Sequence, residues 1–570
     1  MASLREALKK ALGQVGQTLP SAKEAKRVPP AASPAPPRRP DIRQQQGAVY
    51  SSQNHRPQVP PTSVGAIGIP FRPEPPRVGP AKIVVPVIVP PPDCQVHLGA
   101  NPRYTLPITE DSTTRLLPEM ERLGAVEQCL VGVARDEREV VMGLDFGTSS
   151  VKVVIGDSAL GKSFLVPFND DVGLGAYLLP SRLYQTDDKY SLVSGTQSYR
   201  DLKLSFVASP SDISNQVRLV AFLALVIARA RGWLFSNQRN TFKKTQIIWR
   251  LSVGLPSASI LSNDLAQRLQ HLAAIAWRCA GEPQLLTQGG ITQLINEAEP
   301  KEVIGAVEVE VIPEIAAQIY GFVVSTSFDR KAANFYLMVD VGAGTVDSCL
   351  FRVKPAKGGK WDFEFFTTAV EPHGVMNLHR HRNAWWLDTL KKYAAPQTLI
   401  DDVQNGWRDT DHLVSLPEKF EEYFDGVGVT FRKGAKSPDL EFFEDRVVTQ
   451  VRGKTLWRAW KEEYLDQRSI AGLPLFLCGG GARMAYYLEL KNKLKQQHGF
   501  SWLKAEPWTM GVPGDLVADG LEDNDYDRVS VAYGLSRLDV GKVIRATPIP
   551  KIEIAPVNSW SDNYIDKDQC

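Results

Sequence analysis

The chain has 570 residues, of which 43% are hydrophobic, and its 66 Lys and Arg residues nearly balance its 64 Asp and Glu residues. This length leaves room for two or three domains with sizeable cores, and the near-neutral charge argues against direct binding of nucleic acid by the chain as a whole. The six cysteines are scattered without metal-ligand or redox spacing, so we expect reduced, mostly buried thiols and a cytoplasmic location.

The first 92 residues differ in composition from the rest of the chain. Leucine and valine recur near helical spacing in residues 4–19, which predicts a short amphipathic helix. Residues 20–92 contain 19 of the 40 prolines together with many arginines, which predicts a disordered or polyproline-like basic arm. The helix is either a solvated end or a docking handle for a partner protein. A mitochondrial presequence is a third interpretation, against which Glu6 and the near-absence of arginines argue. The arm is either a linker or a strap that lies along a partner or along the chain itself.

Residues 93–138 are predicted to be an N-terminal decoration, with one or two helices in Thr114–Leu130. No secretory signal is expected, because the first residues lack an uninterrupted apolar region. The longest apolar stretch, Leu219–Ala228, has about ten residues, whereas a membrane span needs about twenty. We therefore expect a buried core helix there and no membrane segment.

The first chemically informative stretch is VVMGLDFGTSSVKVVI at residues 140–155. Two apolar runs flank a polar turn, which predicts a β-hairpin. Asp145 precedes the turn, and Gly147, Thr148 and Ser149 form it. A strand near Leu165 is expected to follow.

The chain between the first hairpin and residue 330 is predicted to contain an insertion and then regular elements. The insertion covers about residues 176–244 and includes Lys203, which is either a surface lysine or a functional one. A strand at 246–254 and a helix at 263–280 follow, and another helix begins at Glu314, directly after Pro313.

A second hairpin is predicted over residues 335–353, FYLMVDVGAGTVDSCLFRV. Gly342, Ala343 and Gly344 carry almost no side chain, so a bulky anion can approach their backbone N–H groups. Thr345 can bond a phosphate oxygen. Two carboxylates that could hold a hydrated Mg²⁺ flank the turn, namely Asp340 and Asp347.

The remainder of the chain is predicted to form a strand at 361–370, an insertion at about 384–451, a strand and helix at 475–494, and a closing helix at 526–538. The strand from Leu475 ends in Gly479, Gly480 and Gly481, followed by Arg483. We interpret the histidines at 373, 379 and 381 as surface or interface residues rather than metal ligands.

In their order and spacing, Asp145–Ser149, Asp340–Asp347 and Gly479–Arg483 resemble the phosphate-1, phosphate-2 and adenosine motifs of the actin-like ATPase superfamily. The chain is most similar to the nucleotide-binding domain of the seventy-kilodalton heat-shock chaperones, over about residues 139–545. The resemblance implies an α/β, two-lobed actin-like ATPase fold of duplicated ribonuclease H-like domains. Domain I would span 139–330 with a small subdomain at 176–244, and domain II 331–545 with a small subdomain at 384–451. Residues 546–570 would be a C-terminal tail.

The resemblance also implies which residues bind Mg–ATP and act on it. Glu314 would position the water that attacks the γ-phosphate, Lys203 would reach that phosphate, and Asp340 and Thr345 would complete the catalytic group. The nucleotide would be bound by the glycines and hydroxyls of the three turns: Gly147, Thr148, Ser149, Gly342, Ala343, Gly344, Thr345, Gly479, Gly480, Gly481 and Arg483. Mg²⁺ would be held through waters by Asp145, Asp340 and Asp347.

These features predict an ATPase (ATP phosphohydrolase) that acts as a chaperone-like switch on partner proteins, which it would engage through the N-terminal arm and the apolar C-terminal tail. About thirty residues follow Leu538, so a chaperone's peptide-binding domain is not expected. The alternative is a filament-forming prokaryotic actin-like cytomotive protein. A module that binds ATP without hydrolysing it is a third interpretation, against which the full set of acidic and hydroxyl residues argues.

Overall fold

A computed structural model describes residues 93–106, 114, 116, 117, 130, 132–257, 263–297, 307–409, 416–495 and 502–547. All of these lie in one compact unit, Val89–Cys570. The expectations for the amphipathic helix, the proline-rich arm, most of the 114–130 region and the tail beyond residue 547 fall outside the described residues.

The protein is a mixed α/β protein with two large mixed sheets and two small antiparallel ones. Its described strands are β1 Cys94–Tyr104, β2 Asp136–Phe146, β3 Ser150–Asp157, β4 Lys162–Leu165, β5 Leu179–Pro180, β6 Leu183–Thr186, β7 Lys189–Ser191, β8 Gln197–Tyr199, β9 Thr245–Leu255, β10 Glu308–Pro313, β11 Phe335–Val341, β12 Val346–Pro355, β13 Trp361–Glu371, β14 Phe424–Phe431, β15 Leu473–Cys478, β16 Ala505–Trp508, β17 Leu516–Val517 and β18 Val540–Arg545.

Helices connect and cover these strands. They are α1 Leu202–Ala208, α2 Ile213–Asn237, α3 Arg239–Phe242, α4 Asn263–Gly281, α5 Gln288–Glu297, α6 Glu314–Val323, α7 Val375–Lys392, α8 Gln397–Asp409, α9 Pro438–Glu441, α10 Phe442–Trp457 (with π-helical hydrogen bonding), α11 Arg458–Lys461, α12 Gln467–Ile470, α13 Ala485–Lys495 and α14 Ser530–Arg537. Short 3₁₀ turns occur at Gly173–Tyr177, Pro283–Leu285, Lys357–Gly359, Phe420–Tyr423, Gly480–Arg483 and Asp523–Arg528.

The two large sheets repeat one strand arrangement. In the first sheet the order is β10-β9-β2-β3-β4-β17, with β5 also paired to β3. The strands β2, β3 and β4 are antiparallel neighbours, and β9 and β10 run parallel to β2. The second sheet has the order β16-β15-β11-β12-β13-β18, in which β11, β12 and β13 are antiparallel and β15 and β16 run parallel to β11. Five strands therefore have the same order and directions in both sheets.

Most strands and helices predicted from the hydrophobic pattern are confirmed. The two hairpins are β2–β3 and β11–β12, and the predicted strand 246–254 corresponds to β9. The predicted helix 263–280 corresponds to α4, and the helix predicted from Glu314 begins at that residue. These elements were predictable because each carries its period and its end signals within its own sequence.

Helix α2 is longer than the ten-residue apolar stretch that predicted it. It has 25 residues, and by length and composition it could cross a membrane. However, 72% of its most apolar 18-residue window is buried inside the protein. Its side chains share one hydrophobic core with β2, β3, β9 and α4, as expected for a buried core helix.

Helices α6 and α14 pack against each other between the two large sheets. Leu535 of α14 belongs to one core with Ile315 of α6 and Met338 of β11. On its other side α14 lies against β2, where a Cβ on Gly143 would be 2.4 Å from the Ala532 carbonyl oxygen. The absence of a side chain at Gly143 therefore permits this close packing of α14 on β2.

The start of the predicted N-terminal decoration pairs with a distant part of the chain. Strand β1 runs antiparallel to β14, with Cys94 opposite Phe431 and Tyr104 opposite Phe424. Tyr104 is buried beside Trp386 and Val403 in a separate hydrophobic cluster. Residues 94–104 are thus attached to the region 384–451 rather than to the first hairpin.

Candidate functional site

Three turns that are far apart in sequence surround one cavity of about 490 Å³. They are the β2–β3 turn, the β11–β12 turn and the turn after β15. Every site residue predicted from the sequence except Gly344 lines this cavity, namely Asp145, Gly147, Thr148, Ser149, Lys203, Glu314, Asp340, Gly342, Ala343, Thr345, Asp347, Gly479, Gly480, Gly481 and Arg483. The cavity volume lies within the range of small-molecule sites, about 300–1,000 Å³.

The first turn places an acid and a base opposite each other. Asp145 of β2 and Lys152 of β3 are cross-strand partners in the hairpin, and side chains of such partners share one face of the sheet. Lys152 Nζ lies 3.0 Å from Asp145 Oδ2, and both side chains are about nine-tenths buried. The Gly147 carbonyl accepts a 2.6 Å hydrogen bond from Ser181 Oγ, which anchors the turn.

The second turn is held by the beginning of helix α7. The backbone N–H groups of Val375 and Met376 donate to the carbonyls of Gly342 and Ala343, at 3.1 and 2.8 Å. Because the carbonyls of the turn are engaged in this way, its small residues keep their open side toward the cavity.

Gly344 is the exception because it faces another element. A Cβ at this position would lie 2.9 Å from Leu204 Cδ1 and 3.2 Å from Thr148 Cγ2. Gly344 therefore allows helix α1 and the first turn to approach the second turn closely, which is a different role from the predicted nucleotide contact.

The third turn approaches the carboxylates of the second. Gly479 has a φ of +84°, a conformation that favours glycine, and a Cβ there would lie 2.1 Å from Asp340 Oδ1. Arg483 pairs with Asp525 and, at 2.9 Å, with Asp527. The arginine is thus already bound to carboxylates of the segment before α14.

A lysine and a glutamate from distant segments meet in the cavity. Lys203 Nζ forms a short ion pair with Glu314 Oε1, and both side chains are largely buried. Burial lowers the pKa of Lys203, but Glu314 and Asp145 outweigh it, so that pKa is raised. Burial raises the pKa of Glu314 despite Lys203. Lys203 is therefore neither on the surface nor in a strand, because helix α1 directs it inward.

The two acids of the second turn are crowded by other negative groups. Burial, Glu314 and Asp145 raise the pKa of Asp340 to about 6. Burial, Glu314 and Asp340 raise the pKa of Asp347 to about 8. The negative charge of both acids is therefore disfavoured in the folded protein, and that of Asp347 more strongly. Such perturbed carboxyl groups in a cleft are typical of functional sites.

Two residues that line the cavity have a buried polar atom without a hydrogen-bond partner among the described residues. These atoms are Asp347 Oδ1 and Gln318 Oε1. Unpaired buried polar atoms are costly and rare, and here they mark places for a ligand, an ion or its waters. Among the residues that the structure describes, no three His, Cys, Asp or Glu side chains are close enough to bind a metal directly. Carboxylates such as Asp340 and Asp347 can hold a hydrated Mg²⁺ through the waters that this ion keeps.

The sequence alone did not indicate several further polar residues of the cavity, among them Lys152, Gln318 and Arg528. Lys152 could have been found because it lies opposite Asp145 in the predicted hairpin. Gln318 could have been found because it is one helical turn after Glu314; its Nε2 donates to Asp340 Oδ2 at 3.2 Å. Arg528 had no local signal, since only the packing of α14 brings it to the cavity.

The interpretation of the histidines as surface residues is wrong for His373 and His379. His379 is fully buried, and its Nδ1 lies 2.9 Å from the Tyr423 hydroxyl. His373 Nδ1 lies 2.9 Å from Gln450 Oε1. Both are covered by segments far away in sequence, which no local pattern indicates.

No family model matches this chain, and no curated protein matches it at a significant level. The functional assignment therefore depends on the fold and on the geometry of the cavity.

Proposed function

We propose that this protein is a cytoplasmic, Mg²⁺-dependent ATPase of the actin-like superfamily that acts as a nucleotide switch on partner proteins. The observation that carries the proposal is the convergence of the three turns, together with Lys203 and Glu314, on one cavity. The turns are separated by more than a hundred residues each, and the sequence had selected them as parts of one nucleotide site.

The repeated strand order supports the finer fold assignment. Duplicated ribonuclease H-like domains would each contain three antiparallel strands followed by two strands parallel to the first, and both large sheets have this arrangement. We propose that the sheets are the centres of two lobes, with the cavity between their first turns. Helices α6 and α14 would then be the connection about which the lobes move.

The proposed ATP site uses backbone donors for the phosphates and side chains for their charge. Backbone N–H groups of the first and second turns would bind the β- and γ-phosphates, and the third turn would lie beside the adenosine. Mg²⁺ would be held through waters on Asp145, Asp340 and Asp347, and would neutralise phosphate charge. A divalent cation would also relieve the repulsion that raises the pKa of Asp340.

Glu314 is the proposed group that orients the attacking water. Its carboxylate faces the cavity but is occupied by Lys203. A γ-phosphate would offer Lys203 a second anionic partner, so that Glu314 could accept a hydrogen bond from water. The pair thus links phosphate binding to the release of the catalytic carboxylate. Hydrolysis would remove the contact that holds the lobes together.

The proposal is tested by ATP binding and hydrolysis with the purified full-length protein. The test variant is Asp340→Asn, which keeps the size of the side chain and removes its charge. The matched control is Asp388→Asn, since Asp388 is an exposed acid on α7 that forms an ion pair with Lys392 one turn later and does not line the cavity. We expect hydrolysis by the wild type and the control and none by Asp340→Asn.

Light scattering recorded in the same samples separates the alternatives. A signal that rises with ATP and decays as ATP is consumed would favour the filament-forming function. Binding without hydrolysis by the wild type would favour a non-hydrolysing module. If the wild type binds neither ATP nor ADP in the presence of Mg²⁺, the proposal is wrong.

A further inference from the structure

Arg528 differs from the other cations that line the cavity because no carboxylate holds it. Lys152 pairs with Asp145, Lys203 with Glu314, and Arg483 with Asp525 and Asp527. Arg528 lines the same cavity, yet within the described part of the chain its guanidinium makes no hydrogen bond and no ion pair within 4.0 Å.

The environment of Arg528 is unfavourable for a charge without a partner. Burial and the neighbouring Arg483 lower its pKa, and the attraction of Asp527, Asp145 and Asp340 only partly offsets this. A guanidinium nevertheless stays protonated in proteins. The fold therefore keeps a positive charge at the cavity wall that nearby carboxylates offset only in part, and an anion in the cavity would stabilise it.

The third turn leaves room for this guanidinium. A Cβ on Gly480 would lie 2.8 Å from Arg528 Cζ, and the three nearest atoms to it all belong to that side chain. Glycine at position 480 thus lets the planar group lie directly against the turn, so the orientation of Arg528 toward the cavity is set by the backbone beside it.

We propose that Arg528 binds the phosphate chain of the nucleotide, at the phosphate nearest the ribose. The inference rests on the proposed nucleotide-binding function. The guanidinium fork matches the geometry of phosphate oxygens and can donate two hydrogen bonds to them. Its guanidinium lies against Gly480 of the third turn, and it lines the same cavity as Asp145 and Asp340. In the proposed ATP site it would therefore lie between the adenosine and the outer phosphates.

The experiment compares adenosine, AMP, ADP and ATP as competitors of a fluorescent ADP analogue on the full-length protein. Arg528→Gln removes the charge, and Arg528→Lys keeps the charge but loses the fork. Arg545→Gln is the matched control, because Arg545 is exposed on β18 and does not line the cavity. Circular dichroism and thermal melting check that every variant is folded.

We expect Arg528→Gln to weaken the binding of AMP, ADP and ATP by a similar factor, roughly 10- to 100-fold for the loss of hydrogen bonds to a charged group. The binding of adenosine should not change. The affinity of Arg528→Lys for these nucleotides is expected to lie between those of Arg528→Gln and the wild type. Gly480→Ala is expected to weaken AMP binding in the wild-type background but to add little in the Arg528→Gln background, because the three atoms nearest to its new methyl group all belong to the Arg528 side chain.

The competing outcomes are distinguishable. If AMP binds Arg528→Gln as tightly as the wild type, the inference is wrong while the proposed function stands. An equal loss for adenosine would show a contact to the base or ribose and would overturn the phosphate assignment. If the wild type binds none of the four compounds, the proposed function fails together with the inference.

Discussion

The contact between α6 and α14 provides a sharp test of the packing. A Cβ on Gly534 would lie 1.9 Å from the Ala317 carbonyl oxygen and 2.5 Å from its carbonyl carbon. Real Cβ contacts essentially never fall below 3.0 Å, so Gly534→Ala requires the two helices to separate by about 1 Å. The opposing atoms belong to the backbone of α6, so they cannot move aside by a change of side-chain rotamer.

Two effects of opposite sign determine how much Gly534→Ala changes the free energy of unfolding. Alanine in place of glycine within a helix stabilises it by about 1 kcal/mol, whereas overpacking a core costs about 1–3 kcal/mol and sometimes more. Because backbone atoms form the obstacle, we take the upper end of that range. Gly534→Ala should therefore lower the free energy of unfolding by about 2 kcal/mol.

Urea denaturation at constant pH measures this change as a shift in the midpoint of unfolding. The slope of the free energy of unfolding against urea concentration should stay the same. Gly232→Ala is the matched control. Gly232 lies within α2, and a Cβ there meets nothing within 4 Å. The free energy of unfolding of this variant should therefore rise by about 1 kcal/mol. If Gly534→Ala is stabilised as much as the control, the two helices do not approach as described, and the reasoning is refuted.

Three further variants test the buried polar groups. Arg382→Met should lower the free energy of unfolding by about 3–5 kcal/mol. Arg382 is fully buried, and its loss leaves the Asp439 carboxylate, 2.7 Å away, without its ion-pair partner. An unchanged midpoint of urea denaturation would contradict this. His379→Gln should flatten the loss of stability in acid. Burial lowers the pKa of His379 to about 4, below the unfolded value of about 6.5, so the folded protein binds the proton less well. The wild type should therefore lose about 2 kcal/mol of its free energy of unfolding between pH 7 and pH 5. If urea titrations give the same dependence on pH for both proteins, this explanation is wrong. Lys152→Met should weaken ATP binding more than adenosine binding in calorimetry, since it removes a cation from the first turn; equal losses would argue against a phosphate contact.

Asp340→Asn should separate stability from activity. Burial, together with Glu314 and Asp145, raises the pKa of Asp340 to about 6, so its charge is unfavourable in the folded state at neutral pH. We expect an equal or higher melting temperature together with lost hydrolysis, as is common where a site keeps strained charges for function. A variant that melts clearly lower than the wild type would show that the carboxylate stabilises the fold.

The strands, the two hairpins and the residues of the three turns were predictable from the sequence. Each strand carries its own run of apolar residues, and glycine, aspartate and threonine at the ends of strands mark turns by their local conformational chemistry. The Asp145–Lys152 pair was predictable in principle, because a hairpin determines which residues face each other.

Other features depend on contacts between distant segments and were not predictable. The pairing of β1 with β14 joins residues more than three hundred positions apart, and the burial of His379 depends on Tyr423.

The sequence by itself predicted which residues would carry phosphate-binding chemistry, since that prediction follows from residue type and position in a turn. Only the tertiary structure brought the three turns to one cavity, paired Lys203 with Glu314 and, among the described residues, left Arg528 without an ion-pair partner. The physical reason is that packing between distant elements sets both the distances between charges and their exposure to water, and no local pattern encodes either.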